Sequence, residues 1–136
     1  MDRLKKRADF LRAARGIRRV EGAITLETCA TPETEAANGR LRIGFTASKK
    51  IGNAVARNRA KRRLREAARQ LLPQHGLPGV DYVLVARQTT PDAPWDALLD
   101  DVGNALIRLR ADLEKGRASA PAKRTGPAPN SPTESD

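Results

Sequence analysis

The sequence of 136 residues predicts an α+β fold, a small mixed or antiparallel sheet packed with helices in the order α-β-β-α-β-α. Three observations predict it. The stretches "GAITLETCA" and "RLRIGFTAS" alternate as strands do. The runs "IGNAVARNRAKRRLREAAR" and "TTPDAPWDALLDDVGNALIRLRADLEKG" carry apolar residues at helical spacing. Between them, "VDYVLVAR" is almost continuously apolar, which suits a central strand covered on both faces or an internal strand beside a helix. The length is enough for one domain with its own core and too short for two ordinary ones.

Taken in order, "RLKKRADFLRAARG" reads as a short basic helix ended by Gly16, with Asp9 as candidate N-cap. The strand "GAITLETCA" sets Ala23 and Thr25 against Ile24 and Leu26, so it is expected to be half-buried. "TPETEAANG" is a polar connection closing on an Asn38-Gly39 turn signal. The next strand places Leu41, Ile43 and Phe45 on one face, and these two strands are expected to pair as an antiparallel hairpin. Gly44 marks a bulge or the close approach of another backbone.

From Asn53 to about Leu72 the period is helical, with Ala56, Ala60, Leu64, Ala67 and Leu71 on the arc that must face the sheet. "PQHGLPG" stops that helix and puts His75, the only histidine, in a loop. The last helix enters through Pro94 and packs on Trp95, Leu98, Val102, Leu106, Leu109 and Leu113. Its outer face carries Asp96, Asp100, Asp101 and Glu114, so it is not expected to meet a polyanion. Trp95 shares the apolar stripe and reads as a core anchor. Residues 1–115 form the expected domain, and 116–136, rich in Pro, Ala, Ser and Thr, form a disordered tail.

Composition narrows the function. Twenty-six basic against 16 acidic residues give a formal charge of +10, which makes a polyanion the leading partner, nucleic acid ahead of an anionic membrane. No apolar run approaches the roughly 20 residues that span a bilayer, and the first residues are charged, so a cytoplasmic protein is expected. Cys29 is the only cysteine, which rules out an internal disulfide and a Cys-rich zinc site; it reads as a small core filler. No nucleophile–base pair, metal-ligand cluster or carboxylate pair stands out, so neither catalytic nor metal-binding residues are expected.

The basic helix carries the functional signal. Asn58, Arg62, Arg65 and Arg69 lie opposite the apolar arc, while Arg57, Lys61 and Arg63 flank its boundary with stems that lie along apolar surface. Glu66 is the only acid among these bases, whereas a solvated face mixes both signs. Arginine forks grip phosphate in two-point contacts, lysine adds a point charge, and the Asn58 amide both donates and accepts. Lys49 and Lys50 lead into the helix N-terminus, which itself favours phosphate.

The run "RIGFTASKKIGNAVARNRAKRRLREAAR", residues 42 to 69, closely resembles the signature of the bacterial ribonuclease P protein subunits, supported by "RLKKRADF" and "DYVLVAR". The resemblance implies a sandwich like the second domain of ribosomal protein S5. It implies the protein subunit of a ribonucleoprotein endonuclease that removes 5′ leaders from precursor tRNA, with catalysis by the RNA subunit and Mg²⁺. It further implies that Lys49, Lys50, Arg57, Asn58, Arg59, Lys61, Arg62, Arg63, Arg65 and Arg69 contact the catalytic RNA. The first helix and the open sheet face would form a cleft for the leader, using Phe10, Arg12, Arg15 and Arg18. Ala14 stands where many family members carry a second aromatic, so leader binding here leans on arginines and backbone groups. From the residues alone, Phe10 fits a core role equally well. The alternative function is a ribosomal or general RNA-binding protein without a nuclease holoenzyme. A DNA-binding regulator fits less, because the acidic last helix offers no dimer seam.

Overall fold

In the computed structural model, which describes residues 2–32 and 40–119, the chain runs through five strands and three helices. They are β1 (Asp2–Arg3), α1 (Arg7–Ala14), β2 (Ile17–Glu21), β3 (Ile24–Ala30), β4 (Arg42–Thr46), α2 (Ala54–His75), β5 (Val80–Ala86) and α3 (Trp95–Ser119). A 3₁₀ turn, Lys49–Ile51, leads into α2. The mixed α+β class stands, but β1 and β2 are additions to the expected order. The turn expected at Asn38-Gly39 and residues 120–136 lie outside the described residues, and α3 continues through the first part of the expected tail to Ser119.

The sheet order is β1-β4-β5-β3-β2. The hairpin expected between β3 and β4 does not form, because β5 lies between them, antiparallel to β3 and parallel to β4. The reason is burial. β3 is buried over Ile24–Thr28 on both faces and β5 over Val80–Leu84, so each needs a neighbour on both sides. β2 supplies the other neighbour of β3 through a tight turn at Gly22, whose φ of 49° suits a residue without Cβ. The hairpin partner of β3 is thus "IRRVE", a polar, arginine-rich edge strand whose apolar signal is weak.

Helices α2 and α3 cover one face of the sheet and α1 covers part of the other. The larger core joins Ile24, Leu26, Ile43, Tyr82 and Leu84 to Leu64, Leu72, Leu98, Val102 and Leu109. Each such side chain contributes about 1.5–3 kcal/mol by leaving water. Leu41 and Phe45 share this face with Ile43, as the alternation requires. Trp95 packs partly buried against the same core, in keeping with an anchor role. A smaller cluster under α1 contains Leu4, Ala13 and Val83, edged by Phe10, Val85 and Cys29. Cys29 is a half-buried filler there, its thiol pushed up to about 11 by burial and then by the Asp81 carboxylate.

Local expectations need correction at four places. Lys6, with extended backbone, is the α1 N-cap; Asp9 lies inside the helix, turned inward and buried. α2 runs past Leu72 through Pro73, so His75 closes the helix rather than lying in the loop. Tyr82 pins the following connection, its hydroxyl accepting the Leu77 N–H at 2.9 Å. Asp101 is only partly exposed: it accepts the Ala23 N–H at 2.9 Å and sits over Gly22, where any Cβ would collide with it. Finally, Gly44 makes room for a ring and not for a backbone, since a Cβ there would lie 2.5 Å from the Phe10 ring.

Candidate nucleic-acid interface

The basic helix is built to hold one face still. Asn53 caps α2, its side-chain oxygen accepting the Ala56 N–H at 2.9 Å. Ala60, Leu64, Ala67, Ala68 and Leu72 are buried against the sheet and α3, which fixes the rotation of the helix. Ala56 and Leu71, expected on that arc, are only partly buried. With the rotation fixed, Asn58, Arg62, Arg65 and Arg69 are exposed, and Arg57, Lys61 and Arg63 are half-buried at the boundary. The side chains of Arg57, Asn58, Lys61, Arg62 and Arg65 make no hydrogen bond or ion pair with another group among the described residues. Lys49 and Lys50 stand exposed in the turn that leads to this face. The result is a rigid row of cations with nothing among the described residues to neutralise it.

Three members of the predicted set have internal partners. Arg59 Nε donates to the Pro91 carbonyl at 2.7 Å. Arg63 donates to the carbonyls of Thr90, at 2.6 Å, and of Ala93, while its guanidinium lies 5.8 Å from the centre of the Trp95 ring. These two arginines brace the loop that starts α3. Arg69 pairs with Glu66, whose carboxyl is held down to about 2 by hydrogen bonds from Arg69 and then Gln70. Sequence spacing places Arg63 and Arg69 correctly on the wheel but gives no sign of the carbonyls that meet Arg59 and Arg63.

The other face carries a second, different surface. α1 lies on it, with the Phe10 ring half-buried over Gly44 and beside Leu4. Beside α1 the face shows Thr46 and Val85 partly exposed, and Arg18 and Val20 exposed. Arg15 is exposed and free of ion pairs among the described residues. Arg12 turns inward to Asp9 at 2.9 Å, and Arg18 approaches Glu27 at 3.8 Å. Burial raises the Glu27 carboxyl above its ordinary range, and Arg18 only partly opposes this.

What sets the position of α1 is a buried ionic cluster outside every sequence-based expectation. Arg42 binds Asp81 and reaches Asp9 at 3.3 Å, and the Thr31 hydroxyl donates to Asp81 at 2.7 Å. Burial disfavours the charged form of Asp9, but Arg12 and Arg42 outweigh it and hold its carboxyl below the ordinary range. The sequence does hold a signal: Arg42 and Asp81 are charged residues inside otherwise apolar strands.

A free cationic helix and a helix-walled sheet face thus occupy opposite sides of one sheet. The family model for ribonuclease P matches residues 1–110. The chain belongs to the ribonuclease P protein family. It is 48% identical over 125 residues to the ribonuclease P protein component of Caulobacter vibrioides, covering 92% of this chain and 82% of that one. It is 54% identical over 109 residues to that of Ruegeria pomeroyi, covering 79% and 86%. Among solved structures, the Staphylococcus aureus RNase P protein superposes with a TM-score of 0.66 at 30% identity, over 80% of this chain and 95% of that one. As a ribonuclease P protein the chain is the protein subunit of an endoribonuclease, an RNA-binding protein of tRNA 5′ processing. This decides against the alternative of a general RNA-binding protein without a holoenzyme. Among the described residues, no helix is long and apolar enough to cross a membrane.

Proposed function

We propose that α2 docks this ribonuclease P protein onto the catalytic RNA, while α1 and the adjoining sheet face receive the single-stranded 5′ leader of precursor tRNA. The observation that carries the reading is the row of Arg57, Asn58, Lys61, Arg62 and Arg65, rigidly presented and without partners among the described residues. A phosphate backbone supplies the missing anions, and guanidinium forks match its geometry. Lys49 and Lys50 extend the row at the helix entrance, and Arg69 joins it by exchanging Glu66 for phosphate. Arg59 and Arg63 serve mainly as braces, with their remaining N–H groups available to RNA.

On the leader side, Phe10 offers one ring on which a base stacks, and Arg15 and Arg18 offer charge. Arg12 acts through Asp9, holding α1 at its angle to the sheet. The protein itself contributes binding and orientation, not bond cleavage. In this reading Mg²⁺ works with the RNA, which carries the chemistry. The setting is cytoplasmic. The test is reconstitution: added to the catalytic RNA at low ionic strength, the protein should restore magnesium-dependent 5′ maturation, and rigorously RNA-free protein should cleave nothing. Steady cleavage by the protein alone would refute the division of labour.

A further inference from the structure

A groove of about 210 Å³ runs between the β1–β4 edge and α2, lined by Arg3, Ile43, Phe45, Arg65, Ala68 and Arg69. Its walls come from parts of the chain far apart in sequence. The pairing of Arg3 with Ile43 sets Arg3 on the same side of the sheet as α2, and its guanidinium lies 5.1 Å from the centre of the Phe45 ring. Arg65 and Arg69 close the groove from the helix. We propose that this groove binds one unstacked nucleotide of the catalytic RNA.

The size, the floor and the rim all select that occupant. The volume is below the roughly 300–1,000 Å³ of sites for drug-sized ligands, so it admits a single planar ring system and not a helical element. The floor is apolar, given by Ile43, Phe45 and Ala68, which favours a base that has left its stack. The rim is three guanidiniums, and the nearby acid, Glu66, is already paired to Arg69. The Arg3 guanidinium, held near the Phe45 ring, presents a plane on which a base can stack, while Arg65 and Arg69 reach the flanking phosphates. The leader is not the source, because Phe10 and α1 lie on the opposite face of the sheet from this groove. The proposal rests on the docking of α2 onto the catalytic RNA and adds a seat for one base to it.

Chemical probing of the catalytic RNA with dimethyl sulfate and a carbodiimide, with full-length protein at saturation, tests it. Wild-type protein should protect one unpaired base. Arg3→Ala should leave that base reactive and bind the RNA roughly 5- to 150-fold more weakly, the range expected when one stack is removed. Arg3→Lys should keep the salt dependence of binding yet still leave the base reactive, since it has the charge without the plane. Arg62→Ala should weaken binding with the base still protected. Unchanged protection with Arg3→Ala, or full protection and affinity with Arg3→Lys, would overturn the seat while leaving α2 docking intact. Absence of any binding by the wild-type protein would overturn both.

Discussion

Arg42 and Asp81 face each other across the parallel pair β4 and β5, joined by two hydrogen bonds, Nε to Oδ1 at 2.8 Å and Nη2 to Oδ2 at 2.7 Å. Asp81 is 0% exposed and Arg42 9%, so neither charge has water to fall back on. The Arg42 guanidinium is correspondingly harder to deprotonate than usual, chiefly through its hydrogen bonds to Asp81. Because Arg42 also reaches Asp9, this pair is what ties α1 to the middle of the sheet.

Removing one partner strands the other. Arg42→Met should destabilise the protein by about 3–5 kcal/mol, since fully buried Asp81 is left with only the Thr31 hydroxyl and a distant Arg12, and Asp9 with Arg12 alone. Arg42→Met combined with Asp81→Leu should recover part of that stability. Urea unfolding of the single and double variants checks both, and equal destabilisation in the two would contradict the account.

Acid should loosen α1 in a defined direction. Asp9 has its carboxyl lowered below 3.8 in the folded protein, so its contribution is complete above that value and disappears as pH falls through the folded value. The stability difference between wild type and Asp9→Asn should therefore shrink in the acid range below pH 3.8. Glu27 has the opposite sign. Its carboxyl is raised above 4.5, so the stability of its protonated form is present at low pH and disappears as pH rises through the folded value. Glu27→Gln should thus be neutral or stabilising at pH 7. Unfolding curves for the three proteins from pH 3 to 7 measure these trends.

The exposed row and the buried row of α2 should separate cleanly. Arg62→Ala with Arg65→Ala should leave stability unchanged or slightly higher, alanine being the better helix former. The slope of log affinity for the catalytic RNA against log salt should flatten by about 0.7–0.9 for each phosphate that the variant no longer neutralises. Leu64→Ala, at a position 0% exposed, should cost about 2–5 kcal/mol and leave the slope of the folded fraction unchanged. A wild-type slope for the double arginine variant would make α2 a merely solvated face.

Arg63 should behave unlike its neighbour Arg62. Arg63→Ala removes the donors to Thr90 and Ala93 and should cost about 1.5–3 kcal/mol of stability. Its effect on the salt slope should be smaller than that of Arg62→Ala. The same pair of titrations, urea and salt, decides it.

Phe10 and Gly44 should act as one unit in leader binding. Phe10→Ala should weaken precursor tRNA more than mature tRNA, by about 1–3 kcal/mol if one base stacks on the ring. Gly44→Ala should reproduce part of this without removing the ring, because the new Cβ falls 2.5 Å from it and displaces it. Equal weakening for both RNAs would assign Phe10 to packing alone.

The sequence by itself determined the helix α2, its rotation and the set of cations on its outer face. That was possible because a 3.6-residue period is local: Ala60, Leu64 and Ala67 define the buried arc, and the arginines opposite follow from geometry alone. It also determined β5 as a strand needing cover on both sides, and the family through its central run. Tertiary structure decided the rest. Whether β3 pairs with β4 or β5 depends on long-range burial, and no local signal in "IRRVE" announces the β2 partner. Asp9 resembles a cap because a carboxylate before an apolar run usually is one; only the arrival of Arg42 and Arg12 makes its burial tolerable. Likewise, Arg59 and Arg63 differ from Arg62 and Arg65 only through the carbonyls of residues 90–93, which approach α2 from another part of the chain. Periodicity fixes which way a side chain points, and only the packed chain fixes what it meets.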